Sequence, residues 1–129
     1  MPASVAWHDR QVHTILIVDD HPTFRSQARA LLEADGFLVV GEAGDGSSGL
    51  AAVLAFAPEL VLLDIGLPDI DGFEVSRKLA SIQPAPPDVV LTSSREASSF
   101  GARVADSGAL GFLPKDELSG AAIRALLKS

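Results

Sequence analysis

The sequence predicts an α/β fold, a (βα)5 doubly wound parallel sheet of five strands. Short, β-branched apolar runs alternate with segments whose apolar residues have helical spacing, a pattern typical of repeated βαβ units. The runs are continuously apolar, as expected for strands that helices cover on both faces. The predicted strands are Thr14–Asp19, Leu38–Gly41, Leu60–Asp64, Val89–Thr92 and Leu110–Leu113.

Apolar stripes between and after these strands predict core-facing helices. The stripes comprise Phe24, Ala28, Leu31 and Leu32; Leu50, Val53, Leu54 and Ala57; Val75, Leu79 and Ile82; and Leu118, Ala122 and Ala125. The last of these helices is expected to be short. The fourth helical segment, "REASSFGARVADSG", holds adjacent serines and an interior glycine, which costs up to ~1 kcal/mol relative to alanine. That helix is predicted to be short or mobile.

Composition limits the classes of protein that the chain can be. Its 129 residues suit one domain, and 47% of them are hydrophobic. Residues 1–13 are expected to be a flexible leader, including His8 and His13, and residues 14–129 the domain. A net charge of -7 without a basic stripe disfavours direct binding to nucleic acid. The absence of cysteine and of any long apolar segment predicts a soluble, cytoplasmic protein that does not enter membranes.

Polar residues follow four of the five predicted strands. Asp19 and Asp20 follow the first strand, Asp64 ends the third, a threonine and serines end the fourth, and Lys115 follows the fifth. In doubly wound sheets, ligands bind outside the carboxyl ends of the strands. Taken singly, each residue has an ordinary interpretation as a helix cap, a turn residue or a surface lysine. Together they predict a site at one edge of the sheet.

The chemistry of these side chains favours phosphoryl transfer assisted by a metal ion. Three crowded carboxylates need a counter-charge, and an oxygen-rich site with few protein ligands suits Mg²⁺. The cation would keep the carboxylates ionised and neutralise an incoming phosphoryl group. The central carboxylate would be the nucleophile and form an aspartyl-phosphate, while the lysine and a hydroxyl hold phosphoryl oxygens.

These residues resemble the receiver domain of two-component response regulators, which has a flavodoxin-like fold. The motifs "ILIVDDHP", "LVLLDIGLPDIDG", "VVLTSS" and "GFLPK" occur in family order. The "DDHP" opening is most similar to the branch that usually carries a C-terminal helix-turn-helix domain. The resemblance implies that Asp64 is the phosphoacceptor, that Asp19 and Asp20 bind Mg²⁺ with Asp64, and that the backbone carbonyl of Gly66 is a further ligand.

The resemblance also implies a switch. Lys115 pairs with the phosphoryl group and acts in catalysis with Asp64, and Phe112 is the aromatic residue that changes rotamer. The switch hydroxyl is Thr92. Because the segment between Thr92 and Lys115 is about one residue longer than in many relatives, Ser93 is an alternative switch hydroxyl. The output surface is the face formed by the fourth helix, the fifth strand and the fifth helix. We interpret His21 as a helix-start residue before a proline.

The function expected from this resemblance is that of a stand-alone response regulator receiver. It would accept a phosphoryl group from a sensor histidine kinase or a histidine phosphotransfer protein, and would signal by contact with a downstream protein that the sequence does not identify. It would not be an enzyme acting on a metabolite. One alternative is a receiver-like scaffold that works without phosphate. A second, disfavoured by adjacent aspartates where D-x-D is expected, is a hydrolase of the aspartyl-phosphate type.

Overall fold

The sheet has five parallel strands in the order β2-β1-β3-β4-β5, with β1 and β3 at its centre. The computed structural model describes residues 12–94 and 100–128. The strands are β1 (Thr14–Val18), β2 (Leu38–Ala43), β3 (Leu60–Asp64), β4 (Asp88–Ser93) and β5 (Gly111–Pro114). The strand order reverses beside β1, so the doubly wound α/β fold predicted from the sequence is confirmed.

Five helices connect and cover these strands. They are α1 (Pro22–Ala34), α2 (Gly46–Phe56), α3 (Gly72–Ala80), α4 (Gly101–Asp106) and α5 (Gly120–Leu127). Side chains of Asp45, Asp71 and Ser119 cap α2, α3 and α5 by accepting a hydrogen bond from a backbone N–H of the first turn. The short α4 and α5 agree with prediction, while the part of the fourth helical segment at 95–99 lies outside the described residues.

The core has two layers, one on each face of the sheet. Ile15 and Ile17 of β1 pack in a cluster with residues of α1 and α5, whereas Leu16 and Val18 pack in a second cluster with residues of α2 and α3. All four side chains are essentially inaccessible to solvent. The central strand is therefore buried on both faces, which explains its uninterrupted apolar sequence.

The core stripe predicted for α2 is wrong in part. Leu54 is 74% exposed, and Ala57 lies beyond the helix with a left-handed backbone conformation. The face that meets the sheet instead consists of Gly46, Gly49 and Val53. A Cβ at Gly49 would lie 2.9 Å from the Val18 side chain, so small residues let α2 approach β1 closely. Apolar periodicity missed this face because glycine carries no hydrophobic signal.

Residues just before the first strand and just before the last helix take part in the fold. The carbonyl of His13 accepts a hydrogen bond from Leu38 N–H at 2.9 Å, so this residue is bonded to β2 directly before β1 begins. The remainder of the predicted leader, 1–11, lies outside the described residues. Leu118, predicted as the first residue of the last apolar stripe, is buried just before α5 begins. No helix in 12–94 or 100–128 is long and apolar enough to cross a membrane.

Candidate functional site

Charged side chains from three strand ends meet at one edge of the sheet. Asp19 follows β1, Asp64 ends β3 and Lys115 follows β5. The Lys115 Nζ lies 2.7 Å from Asp19 Oδ2 and 3.7 Å from Asp64 Oδ2. The side chains of Asp19 and Asp64 are only 1% and 5% exposed. A single lysine thus faces two buried carboxylates.

The backbone around Asp19 is held from two neighbouring elements. Asp19 N–H donates to Ala43 O at the end of β2 at 2.9 Å. The carbonyl of Asp19 accepts from the Arg25 guanidinium of α1 at 2.5 Å, and the same guanidinium pairs with Glu42 at 3.2 Å. The acidic pair therefore stands on a backbone that β2 and α1 hold in place.

Burial makes the negative charge of Asp64 unfavourable. Burial is the largest cause and raises its pKa above the usual range. The hydrogen bond from Gly66 N–H to Asp64 Oδ1, at 3.1 Å, lowers the pKa in opposition. The nearby charges of Asp19 and Asp20 raise the pKa further, and Lys115 lowers it. A cation at this point would favour the ionised form.

The carboxylates fit a hard divalent cation. Asp19, Asp20, His21 and Asp64 each offer one ligand atom, and these atoms all lie within 4.8 Å of one another. Within the described part of the chain, Asp19 Oδ2 and Asp20 Oδ1 are buried without a hydrogen bond. The 2.7 Å contact of Asp19 Oδ2 with Lys115 is thus an ion pair without hydrogen-bond geometry. Buried oxygens with unused acceptor capacity are suitable ligands for Mg²⁺.

His21 lies closer to the acidic pair than a helix-start residue needs to. It occupies the N-cap position of α1, but its side chain makes no capping hydrogen bond. Its Nδ1 lies 3.0 Å from Asp19 Oδ1, 3.2 Å from Asp20 Oδ1 and 3.4 Å from Lys115 Nζ. The signal in the sequence was its position directly after the two aspartates. The ring belongs to the site as well as to the helix end.

Two hydroxyl groups stand at the end of β4. Thr92 and Ser93 are both buried. Thr92 is paired in register with Asp64, and its Oγ1 has no hydrogen-bond partner among the described residues. Ser93 instead lines a cavity of about 330 Å³ together with Asp64 and Lys115. Thr92 is thus the strand neighbour of Asp64, and Ser93 shares a cavity wall with it.

A row of aromatic rings connects this cavity to β5. The Phe112 ring centroid lies 6.0 Å from that of Phe100, which lies 5.8 Å from that of Phe73 at the start of α3. The guanidinium of Arg103 in α4 stands 4.3 Å above the Phe73 ring and pairs with Asp71 at 2.7 Å. The sequence pointed to Phe112 alone, because the other contacts join residues distant along the chain.

The loop between β3 and α3 is fixed by its own aspartates. Asp69 accepts hydrogen bonds from Gly46 N–H at 2.7 Å and from Ser47 N–H at 3.0 Å at the start of α2. These bonds lower the pKa of Asp69 to about 2, and the bond from Gly46 has the largest effect. Asp71 caps α3 by accepting from Phe73 N–H at 2.7 Å. Both carboxylates in "PDIDG" thus hold the loop that carries Gly66.

Comparison with known proteins gives a consistent family. The sequence model of the response regulator receiver domain matches residues 15–127. The chain is 43% identical over 103 residues to BvgA, a transcription regulator of virulence factors from Bordetella pertussis, covering 80% of this chain and 49% of that protein. It is 39% identical over 114 residues to a protein-glutamate methylesterase/protein-glutamine glutaminase of Anaeromyxobacter dehalogenans, covering 88% of this chain and 32% of that protein.

Solved structures show the same similarity. The signal receiver domain of NarL from Mycobacterium tuberculosis superposes with a TM-score of 0.80 at 32% identity, covering 92% of this chain and 98% of that one. A LuxR-family two-component response regulator from Aurantimonas has a TM-score of 0.80 at 27% identity, covering 92% and 87%. The chain spans about half the length of the curated transcription regulator that it matches. The similarity to these relatives is therefore to their receiver portion.

Proposed function

The chain belongs to the response regulator receiver domain family of two-component signal transduction, and from that premise we propose that Asp64 accepts a phosphoryl group from a histidine kinase or a histidine phosphotransfer protein. One observation carries the proposal. The buried Asp64 carboxylate lies with Asp19, Asp20 and Lys115 at the carboxyl edge of the sheet. Phosphorylation on aspartate with Mg²⁺ is typical of this family.

Each charged residue has a part in the transfer. An Asp64 carboxylate oxygen attacks the phosphorus, a new O–P bond forms, and the P–N bond to the donor histidine breaks as its imidazole leaves. Mg²⁺, held by Asp19, Asp20, Asp64 and the carbonyl of Gly66, would supply positive charge for the phosphoryl oxygens. Lys115, which contacts both buried carboxylates, would exchange part of that contact for a phosphoryl oxygen.

The phosphoryl group would be read by a hydroxyl at the end of β4 and by Phe112. The register of Thr92 with Asp64 supports Thr92 as the switch hydroxyl, and Ser93 in the cavity wall is the alternative. Phe112 would then turn inward and change its contact with Phe100 beside α4. The output surface is the face formed by α4, β5 and α5. A stand-alone receiver and a receiver joined to an output domain would use the same face.

The output is contact with a protein partner and not with nucleic acid. Four arginines of the described residues are paired with acidic groups: Arg25 and Arg29 with Glu42, Arg77 with Glu74, and Arg103 with Asp71. Such pairing, with a net charge of -7, leaves little positive field for phosphates of DNA or RNA. We propose no activity on an external metabolite, although the protein takes part in its own phosphorylation and in hydrolysis of the resulting aspartyl-phosphate.

The decisive experiment follows the mass of the intact protein with Mg²⁺ and a small acyl-phosphate donor. We expect one phosphoryl adduct in the natural sequence and none in Asp64→Asn. Asp88→Asn is the matched control, because this exposed aspartate lies at the opposite end of β4. An adduct that persists in Asp64→Asn contradicts the proposal.

Two other results point to the rival functions. Absence of any adduct with acyl phosphates or histidine kinases favours the phosphate-independent scaffold. Rapid, repeated release of phosphate from varied phosphomonoesters favours a hydrolase.

Alanine variants of Thr92 and Ser93 that still form the adduct, but differ in its lifetime, identify the switch hydroxyl.

A further inference from the structure

The imidazole of His21 lies at the acidic pair, where its Nδ1 is hydrogen-bonded to Asp19 Oδ1. Its Nδ1 is 3.0 Å from Asp19 Oδ1 and 3.2 Å from Asp20 Oδ1, so the nitrogen lies between the two carboxylates. The side chain makes no cap for α1, and Pro22 already presets the first turn of that helix. The side chain is 64% exposed, so the ring can be reached from solvent.

Two carboxylate oxygens at the same point accept no hydrogen bond, although one of them, Asp19 Oδ2, is in an ion pair with Lys115 at 2.7 Å. Asp19 is fully buried, yet its Oδ2 accepts no hydrogen bond within 12–94 and 100–128. Asp20 Oδ1 is likewise buried without a hydrogen bond in that part of the chain. Buried carboxylate oxygens that accept no hydrogen bond are suited to bind a cation.

The set of ligand atoms contains nitrogen as well as oxygen. One ring nitrogen of His21 and one oxygen each of Asp19, Asp20 and Asp64 lie within 4.8 Å of one another. Carboxylates, carbonyls and water suit Mg²⁺, whereas imidazole suits the later first-row transition metals such as Ni²⁺ and Zn²⁺. A site with oxygen ligands alone would favour these metals only as far as the general order of affinities for divalent first-row metals does.

We propose that His21 is a metal ligand that gives this site a preference for imidazole-binding divalent transition metals over Mg²⁺. The inference rests on the cation site of the proposed function, but it extends the site by one residue and one class of ligand. His21 would use a ring nitrogen to bind such an ion beside Asp19 and Asp20. For Mg²⁺ the ring would turn toward solvent, since Mg²⁺ keeps water in preference to imidazole.

The test measures metal binding with no phosphoryl donor present, so it can fail while phosphorylation of Asp64 holds. Calorimetric titrations with Co²⁺ and with Mg²⁺ compare the natural sequence with His21→Gln. We expect His21→Gln to weaken Co²⁺ by about tenfold or more, the scale on which metal-site partners act, while Mg²⁺ binding stays the same. In proton NMR of the Co²⁺ form, a contact-shifted imidazole N–H should be present and should disappear in His21→Gln.

His13→Gln is the matched control, because His13 is a second described histidine with a carboxylate, Glu59, at 3.7 Å. It should leave both affinities and the contact-shifted signal unchanged. Equal Co²⁺ affinity in the natural sequence and His21→Gln overturns the inference. So does an equal loss of Co²⁺ and Mg²⁺ affinity, because the ring would then only position the aspartates. Because the His21 side chain is exposed, His21→Gln should not unfold the protein. Thermal melting of the variant in chelator checks that a loss of Co²⁺ binding does not come from unfolding.

Discussion

Asp64 holds its negative charge in surroundings that favour the neutral acid. Burial raises the pKa of this carboxyl, and the charges of Asp19 and Asp20 add to the effect. A folded-state pKa above the unfolded value means that ionisation of Asp64 destabilises the fold. The loss is present above the folded pKa and disappears as the pH falls through it toward the unfolded pKa. The ionised Asp64 carboxylate is therefore kept at a cost in stability that a bound cation would offset.

Asp64→Asn should accordingly stabilise the protein in chelator at neutral pH. Loss of the charge removes both the desolvation penalty and the repulsion from the acidic pair, and a gain of about 1 kcal/mol corresponds to roughly 2–8 °C in a domain of this size. Thermal melting by circular dichroism measures the shift, which should shrink as the pH is lowered. Asp88→Asn, at the other end of the sheet, should show no comparable gain. A lower melting temperature for Asp64→Asn would contradict this account.

The start of α3 shows how an element depends on one glycine. A Cβ at Gly72 would lie 2.5 Å from the backbone oxygen of Asp64, because α3 begins directly against the end of β3. Gly72→Ala should therefore destabilise the fold by about 1–3 kcal/mol, the usual cost of overpacking, and also disturb the backbone of Asp64. Gly101→Ala is the control, since a Cβ there meets nothing within 4 Å. Urea unfolding should separate the two; similar midpoints would refute the close-approach argument.

Helix α4 is held by a partly buried apolar contact from Val104 and by contacts of Arg103. None of its six residues is buried, while Arg103 reaches Asp71 at 2.7 Å and stands over Phe73. Arg103→Gln removes the ion pair and the cation–π contact, together worth about 1 kcal/mol, so hydrogen exchange in α4 should accelerate several-fold. Arg77→Gln, which breaks an exposed pair with Glu74 within α3, is the control. Unchanged exchange in α4 would show that other contacts position this helix.

Strands were more predictable than helices, and for a physical reason. A strand buried on both faces has an uninterrupted apolar sequence, so the strand bounds agree with prediction within two residues. The buried face of α2 consists largely of Gly46 and Gly49, which carry no apolar signal. The meeting of Asp19, Asp64 and Lys115 follows from parallel strands. The hydrogen bond from Gly46 N–H to Asp69 depends on the paths of two loops, which no local sequence pattern specifies.

The distribution of charge links this site to the stability of the whole molecule. The protein carries a net charge of -7, and its most buried carboxylates lie together at one edge of the sheet. Among the described residues, Lys115 is the lysine that contacts them. The folded state therefore gathers negative charge that the unfolded chain disperses. A divalent cation bound only by the folded state reduces this repulsion and stabilises the molecule by mass action.

Mg²⁺ should for this reason raise the melting temperature of the natural sequence, and the rise should keep growing with the logarithm of the Mg²⁺ concentration above the dissociation constant. Stabilisation by a ligand that binds one folded-state site is about 2.7 kcal/mol at 100 times its dissociation constant. The double variant Asp19→Ala/Asp20→Ala should fold but lose both the Mg²⁺-dependent rise and the phosphoryl adduct. Asp45→Ala/Asp88→Ala removes the same amount of charge away from the site. Mg²⁺ should raise its melting temperature by a similar amount, measured from the melting temperature of this variant in chelator. If Asp19→Ala/Asp20→Ala is stabilised by Mg²⁺ as strongly as the natural sequence, the cation binds elsewhere, and the two aspartates only form a turn and a helix start. Because melting of each variant in chelator supplies its own reference, a change in intrinsic stability does not obscure the comparison.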